Sequence, residues 1–393
     1  MSISVQKLGE LVTIKGGGTP SKKIDEYWNG DIPWASVKDL KTRVLSKAED
    51  YITTQGAENS ATNIIPKGTI IVPTRMALGK VAIAGVDLAI NQDLKALFIK
   101  DENVLDKQYL ARFLESKAKY IEGEGKGATV KGITLDFLKS IEIPLPPLAE
   151  QKRIAAILDK ADTIRQKRKQ AIDLADEFLR SVFLDMFGDP VSNPKGWEVF
   201  ELKDSIVHAN NGLSRRRKTE ENIGQIVLRL QDVHYDGIRF TKELNRIELE
   251  ENEKAKFELA KGDLLFIRVN GNPEYVGRSA VFRGFEEPIF HNDHLIRLKF
   301  NNFYNSKFLS YTFNLSGGKK IIAANTKTSA GQHTISQSGI ESLRFYQPPK
   351  GLQDKFVEIL DSVINELEQQ YKSVEELDQL FNSLSQKAFS GEL

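Results

Sequence analysis

Two histidines that lie close together are the first candidates for metal chemistry. His291 and His294 stand three residues apart in the segment HNDH. A zinc site needs three or four ligands, and no third ligand accompanies this pair nearby. The chain has no cysteine, which excludes disulfides and every metal site built on thiolates. We therefore predict no metal site and expect both histidines to be turn or contact residues.

A second candidate is NPEY at residues 272–275, which differs in one position from the NPPY-type motif of amino-methyltransferases. Such an enzyme also needs a glycine-rich strand-to-helix loop for S-adenosylmethionine, and no such element precedes NPEY. GEGKG at Gly123 lacks the preceding strand and the spacing of a dinucleotide-binding loop. The chain also lacks a G-x-x-x-x-G-K-[ST] loop for ATP. These patterns favour a non-catalytic protein, and a stand-alone adenine methyltransferase using NPEY stays as an alternative.

An internal repeat organises the elements that must position these residues. LKSIEIPLPPLAEQ (138–151) aligns with IESLRFYQPPKGLQ (340–353) at an offset of 202. Upstream, KGTIIVPTR (67–75) aligns with KGDLLFIR (261–268) at an offset of 194. The landmarks keep their order, so we predict two copies of one unit, each a globular lobe followed by a long helix.

The long helices follow a Pro-Pro pair in each copy, where an apolar seam with a 3.5-residue period begins. A narrow seam suits one partner helix, and the other copy is the simplest partner. We therefore predict an antiparallel coiled coil about 50 Å long, the alternative being two long core helices. The predicted helix-pairing residues are Ile154, Leu158, Ala161, Ile172, Leu179 and Val182 in the first copy and Phe356, Leu360, Val363, Leu367, Val374, Leu377, Phe381 and Leu384 in the second.

Two arginines interrupt the first seam, at Arg165 and Arg168. Either they are polar positions that set the register of the helices, or the seam shifts locally to Ile164 and Ala171.

Short apolar or alternating strands and glycine-rich loops dominate each lobe, as in KGTIIV and NQDLKALFIK. The predicted fold class is α+β, with two mixed α/β lobes separated by two long antiparallel helices and related by a pseudo-two-fold repeat. We predict a first lobe at 1–147, a central helix at 148–187, a second lobe at 188–349 and a C-terminal helix at 350–393.

Composition and charge are compatible with a globular protein of two or three domains, since 40% of the 393 residues are apolar and 28% are charged. No apolar run approaches the roughly 18 residues of a membrane span, and the N-terminus lacks a signal pattern, so we expect a cytoplasmic protein. The net charge of +1 conceals an acidic tail, because residues 352–393 hold 3 Lys and Arg against 9 Asp and Glu. Residues 188–351 hold 24 against 20, a mildly basic balance.

Three segments resemble one known family. GGGTPSKKIDEYWNGDIPWASVKDL (16–40) resembles the opening of a target recognition domain in a specificity subunit of Type I restriction-modification systems. PLPPLAEQKRIAAILDKAD (144–162) is similar to the start of that family's helical region, and LSQKAFSGEL at the C-terminus resembles its usual ending. The second lobe departs from this pattern, with NNGLSRRRK in place of a GGTPS-type opening.

The resemblance implies a DNA-binding subunit in which two target recognition domains each read one half of a bipartite double-stranded site. The paired helices would set the gap and dock two methyltransferase subunits, and restriction subunits would complete the complex. S-adenosylmethionine, ATP and Mg²⁺ would then belong to the partners, and this chain would hold no cofactor, perform no catalysis and contact no membrane. A non-enzymatic alternative is an adaptor, in which the helices join two lobes that bind protein and do not bind DNA.

For DNA contacts we choose polar and basic residues in the loops, above all those beside glycine, where the backbone can approach phosphates. Arg268 and Asn270 have side chains that pair bidentately with guanine and adenine, and phosphate contacts suit the lysine pairs. The candidates are Thr19, Ser21, Lys22, Lys23, Arg75, Lys80, Lys126, Thr129 and Lys131 in the first lobe and Arg215, Arg216, Arg217, Lys218, Arg268, Asn270, Asn272, Arg278, Lys319, Lys320 and Lys327 in the second.

Overall fold

The computed structural model describes residues 4–127, 130–214, 222–235, 237–240 and 244–392, apart from the side chains of 368–376. The chain divides into two compact units. Unit 1 comprises residues 1–169 and 372–393, and unit 2 comprises residues 170–371.

Among its described residues, unit 1 contains eleven strands, which form sheets of five, four and two strands. The strands are β1 Ser4–Lys7, β2 Val12–Gly16, β3 Trp28–Ala35, β4 Val44–Leu45, β5 Asp50–Ile52, β6 Asn63–Ile65, β7 Ile70–Pro73, β8 Ala82–Ala84, β9 Leu88–Ile90, β10 Leu94–Ile99 and β11 Glu142–Leu145. The helices are α1 Leu8–Leu11, α2 Thr54–Glu58, α3 Lys107–Ser116, α4 Ala118–Gly123, α5 Leu135–Ser140 and α6 Leu148–Phe187, the last of which continues into unit 2. The sheet orders are β2-β10-β7-β8-β4, β5-β3-β9-β6 and β1-β11.

Unit 2 repeats this plan with some additional pairing. Its strands are β12 Val199–Glu201, β13 Ile206–Asn211, β14 Gln225–Leu228, β15 Val233–His234, β16 Gly237–Ile238, β17 Arg246–Ile247, β18 Leu264–Ile267, β19 Val269–Asn270, β20 Ser279–Val281, β21 Ile289–His291, β22 Leu295–Phe300, β23 Lys327–Ser329, β24 Gln332–Thr334 and β25 Arg344–Tyr346. The helices are α7 Glu251–Phe257, α8 Ser306–Asn314, α9 Ser316–Ala323, α10 Gln337–Glu341 and α11 Lys350–Ser390, which continues into unit 1. The sheet orders are β13-β22-β18-β20, β17-β14-β21, β19-β24-β23, β12-β25 and β15-β16.

The central strand of each main sheet is apolar throughout because side chains on both of its faces are buried. In β7, Ile70 packs into the core that contains α3, whereas Ile71 packs into the core on the other face of the sheet. In β18, Leu264 and Leu265 divide in the same way between two cores. The mixed α+β lobes predicted from the repeat are confirmed.

Strand register fixes which positions of the two units correspond. Ile70 pairs with Leu97 in unit 1, and Leu264 pairs with Leu298 in unit 2. Leu264 is therefore the counterpart of Ile70 at an offset of 194, and Leu298 is the counterpart of Leu97 at an offset of 201. The offset of 194 continues beyond the strand, since the backbone N–H of Thr74 donates to Asp93 O and that of Arg268 donates to His294 O. Arg268 is therefore the counterpart of Thr74, and the arginines that end KGTIIVPTR and KGDLLFIR are not equivalent.

The two long helices pair within each unit. In unit 2, Phe183 near the end of α6 lies 5.3 Å from Phe356 near the start of α11, ring centre to ring centre. In unit 1, Ile154 and Leu158 near the start of α6 share a core with Ala388 near the end of α11. The pairing is thus antiparallel, as predicted. The predicted seam side chains are buried or half-buried, except that Val374 lies outside the described side chains. None of the described helices combines the length and apolar character of a membrane span.

Arg165 remains at the seam, and Arg168 is half-buried. Arg165 donates to Asp162 at 2.7 Å and to Asp378 of α11 at 3.3 Å, and its guanidinium stacks 4.7 Å from the centre of the Phe381 ring. Ile164 is 40% exposed, and Ala171 is exposed as well. The alternative of a local shift to Ile164 and Ala171 is therefore wrong, because a polar seam position is stabilised by a carboxylate and an aromatic ring of the partner helix.

A buried glutamine joins each lobe to its helix in the same way. Gln151 accepts from the backbone N–H of Asp106 and donates to the carbonyls of Val104 and Pro146, all at 2.9 Å. Its counterpart, Gln353, makes the equivalent bonds to Asn305, Phe303 and Pro348. Both side chains are almost fully buried. The PP-x-x-x-Q spacing found twice in the sequence therefore marks a polar connection between lobe and helix.

Candidate nucleic-acid interface

In unit 1 a hairpin beside the end of β7 brings three predicted cations together. Lys126 and Gly132 exchange two backbone hydrogen bonds of 2.9 Å across the hairpin. The hairpin is bound to the segment after β7, because Arg75 forms a bridge with Gly132 and the N–H of Met76 donates to Lys131 O at 3.0 Å. Arg75, Lys126 and Lys131 are all exposed. Thr129 lies outside the described residues.

The GGGTPSKK loop packs closely against the neighbouring sheet. A Cβ at Gly17 would come within 1.8 Å of Ile90 O, so only glycine allows this approach. The indole N–H groups of Trp34 and Trp28 donate to Gly18 O and Ser21 O at 2.9 and 3.1 Å. Beyond these anchors the side chains of Lys22 and Lys23 are exposed.

The loop and the hairpin meet at the turn between β9 and β10. The Thr19 hydroxyl donates to Gln92 Oε1 at 2.6 Å, and the next residue, Asp93, lies 3.8 Å from Arg75. Thr19, Arg75 and the hairpin lysines thus form one surface, which we name the unit 1 contact surface. Lys80 differs from them, because its ammonium donates to the backbone carbonyl of Leu40 at 2.9 Å.

In unit 2 the corresponding hairpin forms a three-stranded sheet with β19. Val269 and Asn270 pair with Thr334 and His333 of β24, and β23 contributes the exposed Lys327. A groove of about 470 Å³ runs beside this sheet. It is lined by Leu230, Val269, Asn270, Gly271, His294 and Gln332. Its amide and imidazole groups can donate and accept hydrogen bonds, as base edges require.

NPEY forms a capped turn beside the groove. The Asn272 side chain accepts from the N–H of Glu274 at 3.0 Å, and the Arg278 guanidinium stacks 4.1 Å from the centre of the Tyr275 ring. Lys319 of α9 lies 3.7 Å from the Glu274 carboxylate, and the adjacent Lys320 is exposed. The asparagine oxygen is thus committed to its own turn, which explains the motif without a substrate amine.

The predicted base-reading arginine is partly buried. Arg268 Nη1 donates to Asp293 O at 3.3 Å, and its Nε is buried without a hydrogen-bond partner in the described part of the chain. The side chain thereby supports the turn that presents His294. The four basic residues Arg215, Arg216, Arg217 and Lys218 lie outside the described residues.

The two histidines of HNDH occupy different environments. His291 is fully buried, its Nδ1 lies 3.1 Å from Phe257 O, and burial lowers its pKa to about 4. His294 is exposed at the groove. Among the described residues no group of three His, Asp or Glu could hold a metal ion.

Sequence reasoning missed several side chains of these surfaces, above all Met76, Gln92, His294 and Gln332. The repeat contains a signal for two of them, because INQDL (90–94) and HNDHL (291–295) align at the offset of 201. Gln92 and His294 therefore lie in corresponding turns, where Gln92 aligns with Asp293 and His294 aligns with Asp93. Polar residues of a turn that occurs in both copies are contact candidates in the same way as loop lysines.

A family model described as "Type I restriction modification DNA specificity domain" matches residues 3–174 and 194–376. The Type I restriction enzyme StySPI specificity subunit of Salmonella potsdam is 30% identical over 313 residues, which cover 75% of this chain and 67% of that protein. The MjaIX specificity subunit of Methanocaldococcus jannaschii is 32% identical over 237 residues, 56% of this chain, and the match spans about half of that protein, 55%.

Solved structures show the same fold. The S subunit of a Type I restriction-modification system from M. genitalium matches with a TM-score of 0.63 at 19% identity, over 99% of this chain and 96% of that one. A chain from a structure titled for complex assembly and conformational transition of the type I R-M system matches with a TM-score of 0.52 at 16% identity, over the whole of both chains.

Proposed function

Because this chain belongs to the Type I restriction-modification DNA specificity domain family, we propose that it is the DNA-recognition subunit of such a complex and that each unit reads one half of a bipartite duplex site. The observation that carries the proposal is a pair of polar, basic surfaces at corresponding places of a repeated scaffold. The surfaces differ in their side chains, so the two half-sites differ in sequence.

Within each surface, some side chains contact phosphates and others contact bases. Exposed lysines on loops and hairpins, such as Lys22, Lys126 and Lys327, neutralise phosphates and give affinity without sequence preference. Side chains in the unit 2 groove, such as Asn270 and Gln332, approach base edges in the major groove.

The paired helices set the gap between the half-sites and dock two methyltransferase subunits. A second apolar stripe on α6 supports the docking surface. Leu174 and Phe178, both in unit 2, are 55% and 52% exposed. At 3.6 residues per turn they lie about one turn apart on the same face of the helix, away from the seam. An exposed apolar stripe on a long helix is typical of a protein-protein interface.

Catalysis belongs to the partners in this proposal. Methyltransferase subunits hold S-adenosylmethionine, and restriction subunits use ATP and Mg²⁺. Asn272 caps a turn in NPEY, which argues against the stand-alone methyltransferase. The basic loops beside glycine argue against an adaptor that binds protein alone.

Sequencing of methylated bases in the host genome, with and without this gene, tests the proposal. We expect one bipartite motif to lose its methylation when the gene is deleted and to regain it on complementation. Methyl transfer by the purified chain alone would favour the stand-alone methyltransferase. An unchanged methylome, together with no sequence-specific binding by the complex, would favour the adaptor.

A further inference from the structure

Met76 has a backbone conformation that methionine rarely adopts. Its φ angle is 65°, in the left-handed region where a Cβ is unfavourable. Its side chain is 53% exposed. A non-glycine residue held in this region and an exposed large apolar side chain are each uncommon, and strained residues concentrate at functional sites.

The surroundings of Met76 hold it in place and are cationic. Its N–H donates to Lys131 O at 3.0 Å, and its carbonyl accepts from the N–H of Leu78 at 2.8 Å. Arg75 precedes it, and Lys126 lies on the same hairpin as Lys131, so the methionine projects from the unit 1 contact surface. Exposed cations around an apolar side chain favour an anionic partner that itself carries an apolar group.

Unit 2 identifies the role of this position. The offset of 194 that relates Thr74 to Arg268 makes Met76 the counterpart of Asn270. The hairpin contacts support this correspondence. Met76 bonds to Lys131, Asn270 pairs with His333, and His333 is the counterpart of Lys131 at the offset of 202. Asn270 lines the unit 2 groove with His294 and Gln332. One scaffold position thus presents an amide in one unit and a thioether in the other.

We propose that Met76 contacts the 5-methyl group of a thymine in the half-site that unit 1 reads. The thymine methyl is the apolar group in the major groove, where contacts with apolar side chains distinguish thymine from the other bases. The side chain is exposed next to Arg75 and is held beside the hairpin by the bond from Met76 N–H to Lys131 O. This inference rests on the proposed function, because it requires unit 1 to bind duplex DNA.

The test replaces each thymine of the unit 1 half-site with deoxyuridine, which removes the methyl group alone. The complex of this chain with its methyltransferase subunits is first shown to bind its full target, and failure at this step contradicts the proposed function. We then expect one deoxyuridine substitution to weaken binding about fourfold, the effect of one buried methyl group. In Met76→Ala and Met76→Gly that difference disappears, as a double-mutant cycle requires.

Two controls separate recognition from structure. Val44→Ala removes an apolar side chain that is 55% exposed in β4, and it should leave the deoxyuridine effect intact. Glycine suits the left-handed conformation, so Met76→Gly should unfold no earlier than wild type although it loses the discrimination. The proposal is overturned if the target binds but its half-site lacks thymine, if no deoxyuridine weakens binding, or if Met76→Gly keeps the effect.

Discussion

The buried glutamine of unit 2 gives the sharpest test of how lobe and helix are joined. Gln353 is 0% exposed and makes three hydrogen bonds to backbone groups, at 2.9 Å from Asn305 N–H and at 3.0 and 2.8 Å to the carbonyls of Phe303 and Pro348. Gln353→Leu leaves one donor and two acceptors without their partner. Each such group costs about 1–3 kcal/mol when it stays buried.

The local geometry favours a cost for each group near the lower end of this range. Phe303 and Pro348 also line an open cleft of about 480 Å³, and we expect water from this cleft to hydrate their carbonyls in the variant. Three groups at about 1 kcal/mol each predict that Gln353→Leu lowers the free energy of unfolding of unit 2 by about 3 kcal/mol. With a urea m-value of about 1–3 kcal/mol/M, the midpoint should fall by about 1 M or more.

Tryptophan fluorescence measures this midpoint. The chain has three tryptophans, so replacing Trp28 and Trp34 with phenylalanine leaves Trp197 as the reporter of unit 2. Gln231→Leu, at an exposed position of unit 2, is the matched control and should shift the midpoint little. A Gln353→Leu transition that coincides with the parent would refute the reasoning about buried backbone partners.

Two further predictions follow from the charged groups. Burial lowers the pKa of His291 to about 4, whereas the unfolded side chain titrates near 6.5. The unfolded chain therefore binds the extra proton between these values, so unit 2 loses about 3 kcal/mol as pH falls from 7 to 4. Urea titrations should show that His291→Asn removes this slope and that His294→Asn, at an exposed site, keeps it. Lys131→Ala should weaken binding to all duplexes alike and reduce the salt dependence of log K by about one, measured by anisotropy, and a change confined to one sequence would contradict a phosphate contact.

The repeat made the architecture predictable from sequence. A constant offset of 202 fixed the two long helices, and their 3.5-residue seam predicted the antiparallel pairing that Phe183 and Phe356 show. Arg165 stays at the seam because it bonds to Asp378 and stacks on the ring of Phe381, both on α11. The apolar period alone does not predict these contacts. The apolar period of a helix predicts which face a side chain occupies, but it does not predict the polar partner that the side chain contacts there.

The contact surfaces were harder to derive. Loop composition predicts Lys126, Lys131 and Lys80 alike, whereas the Lys80 ammonium donates to the Leu40 carbonyl in a contact that sequence spacing does not encode. The arginines that end KGTIIVPTR and KGDLLFIR are not equivalent, since both the offset of 194 and the hydrogen-bond register pair Arg268 with Thr74. The sequence did not predict the role of Met76, because its left-handed backbone angle occurs at a position where glycine would be expected.

Exchange of residues 188–349 for the second lobe of another family member tests the central claim most directly. The methylated motif of a strain carrying the chimera would be compared, base by base, with that of the parent. If each unit reads its own half-site, one half of the motif changes while the other half and the gap between them stay the same. A chimera that alters both halves, or that methylates the parental motif unchanged, would contradict modular recognition.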